Sequence, residues 1–212
     1  MIELLNIDCM EYMATCKDKQ FDLAIVDPPY GLNIANMNMG VGKSPKCSSI
    51  KNRKWNSSDW DKDAPSMDYF KEIQRISINQ IIWGGNYFDL GSCRHYIIWD
   101  KEIPLGMSFA DCEFAWTSFN KAPRIFRYSA YLNKLEKIHP TQKPPELYKW
   151  LLKNYAKPDF KIIDTHLGSG SSAIAAYDFG CDFVGCEIDK EYYESAKHRF
   201  ETYKLQTKLC FT

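Results

Sequence analysis

Asp27-Pro28-Pro29-Tyr30 directly follows the apolar run Phe21–Val26, and an acid, two prolines and an aromatic in that order can do chemistry. Proline locks φ and carries no N–H, so the chain leaves the run rigid and with bare carbonyls pointing outward. Asp27, the Pro28 carbonyl and Tyr30 then form an acceptor-lined pocket with an aromatic wall. A planar ring bearing an exocyclic amine fits it, the carboxylate and the carbonyl each accepting one N–H while the ring stacks on Tyr30. A base turned out of a nucleic-acid duplex is such a ring. The competing reading is a surface aspartate on a proline-rich turn.

A second constellation lies near the C-terminus, where Lys161-Ile162-Ile163 runs into Asp164-Thr165-His166-Leu167-Gly168-Ser169-Gly170-Ser171 and then a helical pattern. Gly168 and Gly170 permit a tight turn, and the new helix offers free N–H groups to an anionic group. The next apolar run ends in Gly185-Cys186-Glu187, placing a carboxylate where it accepts both hydroxyls of a ribose. The order strand, loop, helix, strand, acid signals an adenosine-containing cofactor, either a nicotinamide dinucleotide or S-adenosylmethionine. The spacing Gly168-x-Gly170-x-x-Ala173 satisfies the dinucleotide pattern. A nicotinamide-dependent oxidoreductase usually begins with its glycine loop, however, and would leave Asp27–Tyr30 without a purpose.

Short β-rich runs alternating with helical patterns must position these residues, which predicts an α/β fold with a parallel, helix-covered sheet. Seven strands are expected, over 3–7, 22–26, 80–83, 95–99, 113–117, 161–163 and 182–186. Helices are expected over 8–16, 67–78, 145–156, 171–179 and 190–203, with Pro145 suited to a first turn and Gly180 to a helix stop. Irregular segments of about 31–66 and 120–141 remain, and stretches of that length are commonly functional. The aromatic-rich Trp83-Gly84-Gly85-Asn86-Tyr87-Phe88 and His95–Trp99 read as core.

The chain of 212 residues has the length of one domain. No run approaches the ~20 apolar residues that span a bilayer, and Glu3 stands where a secretory signal needs a basic flank. A cytoplasmic protein without a membrane partner is expected. The eight cysteines contain no Cys-x-x-Cys pair and read as reduced thiols, with no metal site. Lys and Arg number 27 against 27 Asp and Glu, so overall charge announces no partner. Locally, Lys43, Lys46, Lys51, Arg53 and Lys54 fall together without an acid, near Trp55 and Trp60. Lys121, Arg124, Arg127, Lys134 and Lys137 stand against Glu136 alone, near Phe126, Tyr128 and Tyr131. Cations interleaved with stacking side chains suit a phosphate backbone with exposed bases, although a solvated loop has the same composition.

Asp27-Pro28-Pro29-Tyr30, His139-Pro140-Thr141-Gln142-Lys143-Pro144, the Asp164–Ser171 loop and Gly185-Cys186-Glu187-Ile188-Asp189 together resemble the motif series of amino-methylating DNA methyltransferases. With the catalytic motif first and the cofactor loop last, the order is similar to the circularly permuted beta group of that family. The resemblance implies a Rossmann-like, seven-stranded methyltransferase sheet with helices on both faces and its last strand antiparallel. It implies S-adenosylmethionine as cofactor, with Asp8 bonded to the adenine amine and Glu187 to the ribose. The stretch Asp164, His166, Gly168, Ser169 and Gly170, together with His139, Thr141 and Ile188, would line the same site. Asp27, Pro28, Pro29 and Tyr30 would be catalytic: hydrogen bonds to Asp27 and the Pro28 carbonyl localise the amine lone pair for in-line attack on the methyl group. Asp at position 27 favours adenine N6, since cytosine-N4 enzymes more often carry Ser there; N4-cytosine methylation is the near alternative. Double-stranded DNA would be the substrate, with a homodimer and a cognate restriction endonuclease as further partners.

Two departures stand out. The family usually has Pro-Phe where this chain has Thr165-His166, so a histidine faces the cofactor adenine and its affinity is expected to depend on pH. No separate target-recognition domain is present in the sequence, and segments 40–61 and 120–137, with Lys43, Lys46, Arg53, Lys54, Arg124 and Arg127, are expected to contact DNA.

Overall fold

The computed structural model describes residues 1–32, 63–103, 110–129, 138–139 and 141–209. Eight strands, β1 (Ile2–Asn6), β2 (Phe21–Val26), β3 (Ser77–Trp83), β4 (Tyr96–Asp100), β5 (Cys112–Thr117), β6 (Arg124–Arg127), β7 (Lys161–Asp164) and β8 (Asp182–Glu187), form one sheet in the order β1-β8-β7-β2-β3-β5-β4-β6. Five helices cover it: α1 (Cys9–Ala14), α2 (Met67–Ile76), α3 (Pro145–Tyr155), α4 (Ser171–Phe179) and α5 (Lys190–Leu209).

The α/β architecture is as expected, but among the described residues the sheet has eight strands where the sequence predicts seven. The additional strand, β6, lies inside the segment expected to be irregular. It pairs in parallel with β4, Ile97 opposite Arg124, and its Phe126 ring packs against Trp150 of α3 at 5.4 Å. Its Arg-Ile-Phe-Arg sequence hides this because an edge strand with charged ends reads as a basic loop. The antiparallel strand is β5, fifth in chain order, which pairs with β3 on one side and β4 on the other.

Period-2 alternation explains the two-sided core. On β2, Leu23 and Ile25 join a cluster with Leu147, Leu151, Ile174 and Phe183. Ala24 and Val26 point the other way, toward Met13, Phe70, Ile73 and Ile76. Burying each aliphatic or aromatic side chain contributes ~1.5–3 kcal/mol, so β2 anchors both layers. On α2, Tyr69, Phe70, Ile73 and Ile76 are buried, the spacing of a single helical face. That helix stops at Ser77, whose extended backbone (φ −123, ψ 148) enters β3 at once; this is why the expected end at residue 78 overran. At α4 the bounds are as predicted, closed by Gly180 in the left-handed region at φ +83.

Strands β1, β2, β3, β7 and β8 run parallel, so their C-terminal ends share one edge. From β2 the chain crosses to β3 on one side, and from β7 to β8 on the other, so the strand order reverses between neighbours β2 and β7. In open α/β sheets ligands bind at such a reversal. Asp27 follows one of these strands and Thr165 the other.

Among the described residues no helix is long and apolar enough to cross a membrane, and the six described cysteines are free.

Candidate functional site

A cleft of about 330 Å³ opens at this edge, within the volume range of small-molecule sites. Asp8, Asp27, Pro29, His139, Thr141, His166, Gly168, Ser169, Glu187 and Ile188, all predicted from sequence, line it. Asp164, Gly170, Pro28 and Tyr30 do not line it; Asp164 is bonded to His166 and Tyr30 to Asp27, which do. Cys9, Gln142, Lys143, Tyr148, Thr165, Leu167 and Tyr192 complete the wall.

At the β7 end, backbone geometry shapes the loop. Gly168 and Gly170 adopt φ +52 and +74, and a Cβ on Gly170 would come within 3.3 Å of Ala196. Glu187, at the tip of β8, accepts Gly168 N–H at 2.8 Å and Asp189 N–H at 3.0 Å, so the predicted ribose ligand also fixes the loop beside it. Burial raises its carboxyl, and the two N–H donors pull the other way. Asp164 accepts Ser172 Oγ at 2.6 Å and His166 N–H at 3.1 Å. Burial pushes its carboxyl up to about 7 despite those bonds. Arg199 of α5 donates to the Ser169 carbonyl at 2.8 Å and to Ser171 Oγ at 3.0 Å, a brace that sequence reasoning missed.

Asp8 lies two residues beyond β1 and caps α1, its Oδ1 accepting Met10 N–H at 2.7 Å and Glu11 N–H at 3.2 Å. Two imidazoles face the cleft. His139 Nδ1 lies 3.1 Å from Thr141 Oγ1, and its ring meets Tyr192 edge-on at 4.4 Å. His166 Nδ1 lies 3.0 Å from Thr165 Oγ1. Burial pushes both imidazoles down to about 4, in His139 with help from the Lys143 charge. Burial of His166 shifts the pH dependence of cofactor affinity expected of it toward acid.

The β2 end is ionic. Lys143, 4% exposed, places Nζ 2.6 Å from Asp27 Oδ2 and 2.8 Å from Glu113 Oε2. Glu113 Oε1 pairs in turn with Lys101 at 2.8 Å. Tyr30 Oη donates to Asp27 Oδ1 at 2.7 Å. Burial raises the Asp27 carboxyl, with Lys143 opposing and Glu113 adding to the rise. Burial also works against a charged Glu113, but the two lysines outweigh it and hold that carboxyl at about 2. The same carboxylates keep Lys143 above its ordinary value against its own burial. Both Asp27 oxygens are thus oriented, and each retains a lone pair for a further donor.

Tyr30 stacks on Tyr87 at 5.0 Å and meets Phe88 edge-on at 6.1 Å. It lies so close to Gly84, in the left-handed region at φ +68, that a Cβ there would come within 2.1 Å of the ring. The segment read as core does contribute the fully buried Trp83 and the core-packed Phe88, and with Gly84 and Tyr87 it is also the seat of Tyr30. Two successive glycines after an apolar strand were the available signal.

Arg124 and Arg127 are exposed on β6, Arg124 bonded to Asn154 Oδ1 at 3.3 Å and Arg127 paired with Asp100 at 3.5 Å. Lys43, Lys46, Arg53 and Lys54 lie outside the described residues.

The model of a family described as DNA methylase matches residues 79–198. The Type II methyltransferase M2.DpnII of Streptococcus pneumoniae is 24% identical over 93% of this chain and 89% of its own length. M2.MboI of Moraxella bovis is 23% identical over 91% and 85%. Among solved structures, the M1.HpyAVI–SAM complex superposes with a TM-score of 0.61 at 20% identity, covering 94% of this chain and all of that one. The cytosine-N4-specific PvuII DNA methyltransferase superposes with a TM-score of 0.61 at 13% identity, over 94% and 86%.

Proposed function

The chain belongs to the DNA methylase family of N6 and N4 amino-methyltransferases, and from that premise we propose that it transfers a methyl group from S-adenosylmethionine to the N6 amine of an adenine turned out of double-stranded DNA. The observation that carries the reading is the doubly oriented Asp27, fixed by Lys143 and Tyr30 in the same cleft as Glu187 and Gly168. The alternative of a nicotinamide-dependent oxidoreductase falls with the family match.

The cleft suits the cofactor. A Cβ at Gly168 would stand about 4.0 Å from the His139 ring, in the space between loop and imidazole, so glycine keeps that space open. Asp8 and Glu187 are acceptors suited to an adenine amine and a ribose, with the Gly168–Gly170 loop, Ser169, His139, Thr141, His166 and Ile188 around them. When bound, S-adenosylmethionine supplies an electrophilic methyl group on a sulfonium cation. Asp27, on the cleft wall, accepts one amine proton and localises the nitrogen lone pair, with Pro29 beside it; the Pro28 carbonyl and the Tyr30 ring, set just outside the cleft wall, would meet the second proton and the face of a base that enters next to Asp27. Lys143 positions Asp27 and balances its charge. Burial raises Asp27, making it a competent acceptor for the proton released once the amine has been methylated. No cysteine nucleophile is needed. Aspartate at position 27 supports adenine over cytosine.

The test is transfer of labelled methyl from S-adenosylmethionine to unmethylated genomic DNA, followed by nucleoside analysis, with Asp27→Ala in parallel. Label in N6-methyladenine, reduced about 10²–10³-fold in the variant, is the expected result. Label in N4-methylcytosine keeps the mechanism and changes the base, and label in neither sinks the proposal. The basic residues Lys43, Lys46, Arg53, Lys54, Arg124 and Arg127 are proposed to hold the phosphate backbone. In the same preparation Arg124→Ala with Arg127→Ala should weaken DNA binding and lower its salt dependence; an unchanged salt slope removes those two from the DNA surface.

A further inference from the structure

Tyr69 of α2 reaches the loop after β7, where its Oη lies 2.6 Å from Thr165 Oγ1 and 3.4 Å from His166 Nδ1. Thr165 Oγ1 is itself 3.0 Å from His166 Nδ1, and the rings of Tyr69 and His166 meet edge-on at 5.3 Å. Tyr69 and Thr165 are each 3% exposed.

Each hydroxyl carries one proton, which decides the direction of the chain. If His166 carried its proton on Nδ1, it would donate to Thr165 and Thr165 would donate to Tyr69. The phenol proton would then be buried with no acceptor among the described residues, and an orphaned buried donor is costly. In the reverse direction Tyr69 donates to Thr165, Thr165 donates to Nδ1, and every proton is used. The imidazole proton then sits on Nε2. Burial keeps the ring neutral and the Tyr69 phenol well above its ordinary pKa, so both groups hold these forms at pH 7.

His166 lines the cleft, and its Nε2 has no hydrogen-bond partner among the described residues. Asp8 lines the same cleft and acts electrostatically on His166; with Oδ1 committed to the α1 backbone, its Oδ2 remains an acceptor. One acceptor beside one donor complements an adenine edge, where an amino N–H stands next to a ring nitrogen.

We infer that the Tyr69–Thr165–His166 chain locks His166 as a hydrogen-bond donor into the cleft, and that its Nε2–H selects the adenine of the cofactor through a ring nitrogen. The inference rests on reading the cleft as the S-adenosylmethionine site. Tyr69 and Thr165 are positioning residues, acting through the imidazole they orient.

Imidazole ¹⁵N–¹H spectra of the free protein at pH 7 test the chain independently of any ligand. A single Nε2–H tautomer at His166 is expected in the wild type, and a mixture of tautomers in Tyr69→Phe with Thr165→Val, whose amide spectrum reports that it remains folded. A wild-type Nδ1–H tautomer or an equal mixture overturns the chain. Calorimetry with S-adenosylhomocysteine and its 1-, 3- and 7-deaza analogues tests the recognition. Either the 1-deaza or the 7-deaza analogue, whose missing nitrogen neighbours the amine, should bind the wild type about five- to tenfold more weakly than the parent compound, with the difference lost in His166→Phe; a loss confined to the 3-deaza analogue overturns the contact. Equal affinities for all four overturn it. If the wild type binds none of them, the cofactor reading and the adenine contact fall together, while the tautomer stands or falls on its own spectrum.

Discussion

At the Asp27 end of the cleft, Asp27, Glu113, Lys143 and Lys101 are buried or half-buried as ions that satisfy one another. At the Thr165 end, His139 and His166 are also enclosed, but there a threonine hydroxyl meets Nδ1 of each ring and burial keeps the rings neutral. Both ends solve the problem of polar groups in a poor solvent, one by pairing charges and the other by removing them. The difference sorts charge along the cleft. Its carboxylates, Asp8, Asp27 and Glu187, face no free imidazolium, and its buried cation, Lys143, is held between two acids. A sulfonium cation meets attraction along such a wall, whereas protonated histidines would repel it.

Lys143→Met tests the ionic end and carries the largest expected effect. It strands two buried carboxylates and should cost about 3–5 kcal/mol in urea unfolding, part of it recovered by adding Glu113→Gln. A loss below about 1 kcal/mol would mean that water reaches the cluster, and the contrast between the ends would disappear. Next comes Gly84→Ala, whose Cβ would collide with the Tyr30 ring. The overpacking should cost about 1–3 kcal/mol and lower methyl transfer with little change in S-adenosylmethionine affinity. An equal loss of cofactor affinity would show that the two ends are not separable.

The smallest effect sharpens the neutral end. The folded chain holds His139 and His166 near 4, below their ordinary 6.5, so the unfolded chain takes protons that the folded chain refuses. Their share of stability is full above pH 6.5 and is lost as pH falls through 4. Asp164 opposes them: raised from 3.8 to about 7, its share is full below pH 3.8 and is lost as pH rises to 7. Asp27 and Glu187, whose carboxyls burial also raises, act in the same sense as Asp164, so each neutral imidazole steepens the loss of stability on acidification from 6.5 toward 4 and each raised carboxyl offsets it. His166→Phe removes one imidazole and should flatten the slope measured by denaturation across that range. An unchanged slope would place His166 in solvent.

What the sequence discloses here is mostly local chemistry. Prolines 28 and 29 and glycines 168 and 170 constrain their own backbone, so the turns carrying Asp27 and the cofactor loop are legible without tertiary knowledge. The helix from Ser171 to Phe179 is legible for the same reason, since glycine bounds it on both sides. Partners distant along the chain leave no such trace. Lys143 reaches Asp27 across 116 positions and Tyr69 reaches Thr165 across 96, and neither pairing has a spacing to read. Glu113 looks like an ordinary polar residue of a strand until β5 turns it toward Lys143. Strand β6 owes its form to pairing with β4 and to the Phe126–Trp150 contact, which are tertiary effects that override local propensity.

The pairing of β1 with β8 joins residues 2–6 to residues 183–187, and β2 waits equally for β7. A ribosome delivers these partners far apart in time. Contacts so distant in sequence form slowly and late, and a growing chain exposes the unpaired edges of β1 and β2 until its last third has emerged. The half of the cleft that carries Gly168 and Glu187 is consequently finished last, after the segment bearing Asp27 has long been made. Methyl transfer is in this way reserved for completed molecules, and the nascent chain's dependence on chaperones should be greatest just before residues 161–187 appear.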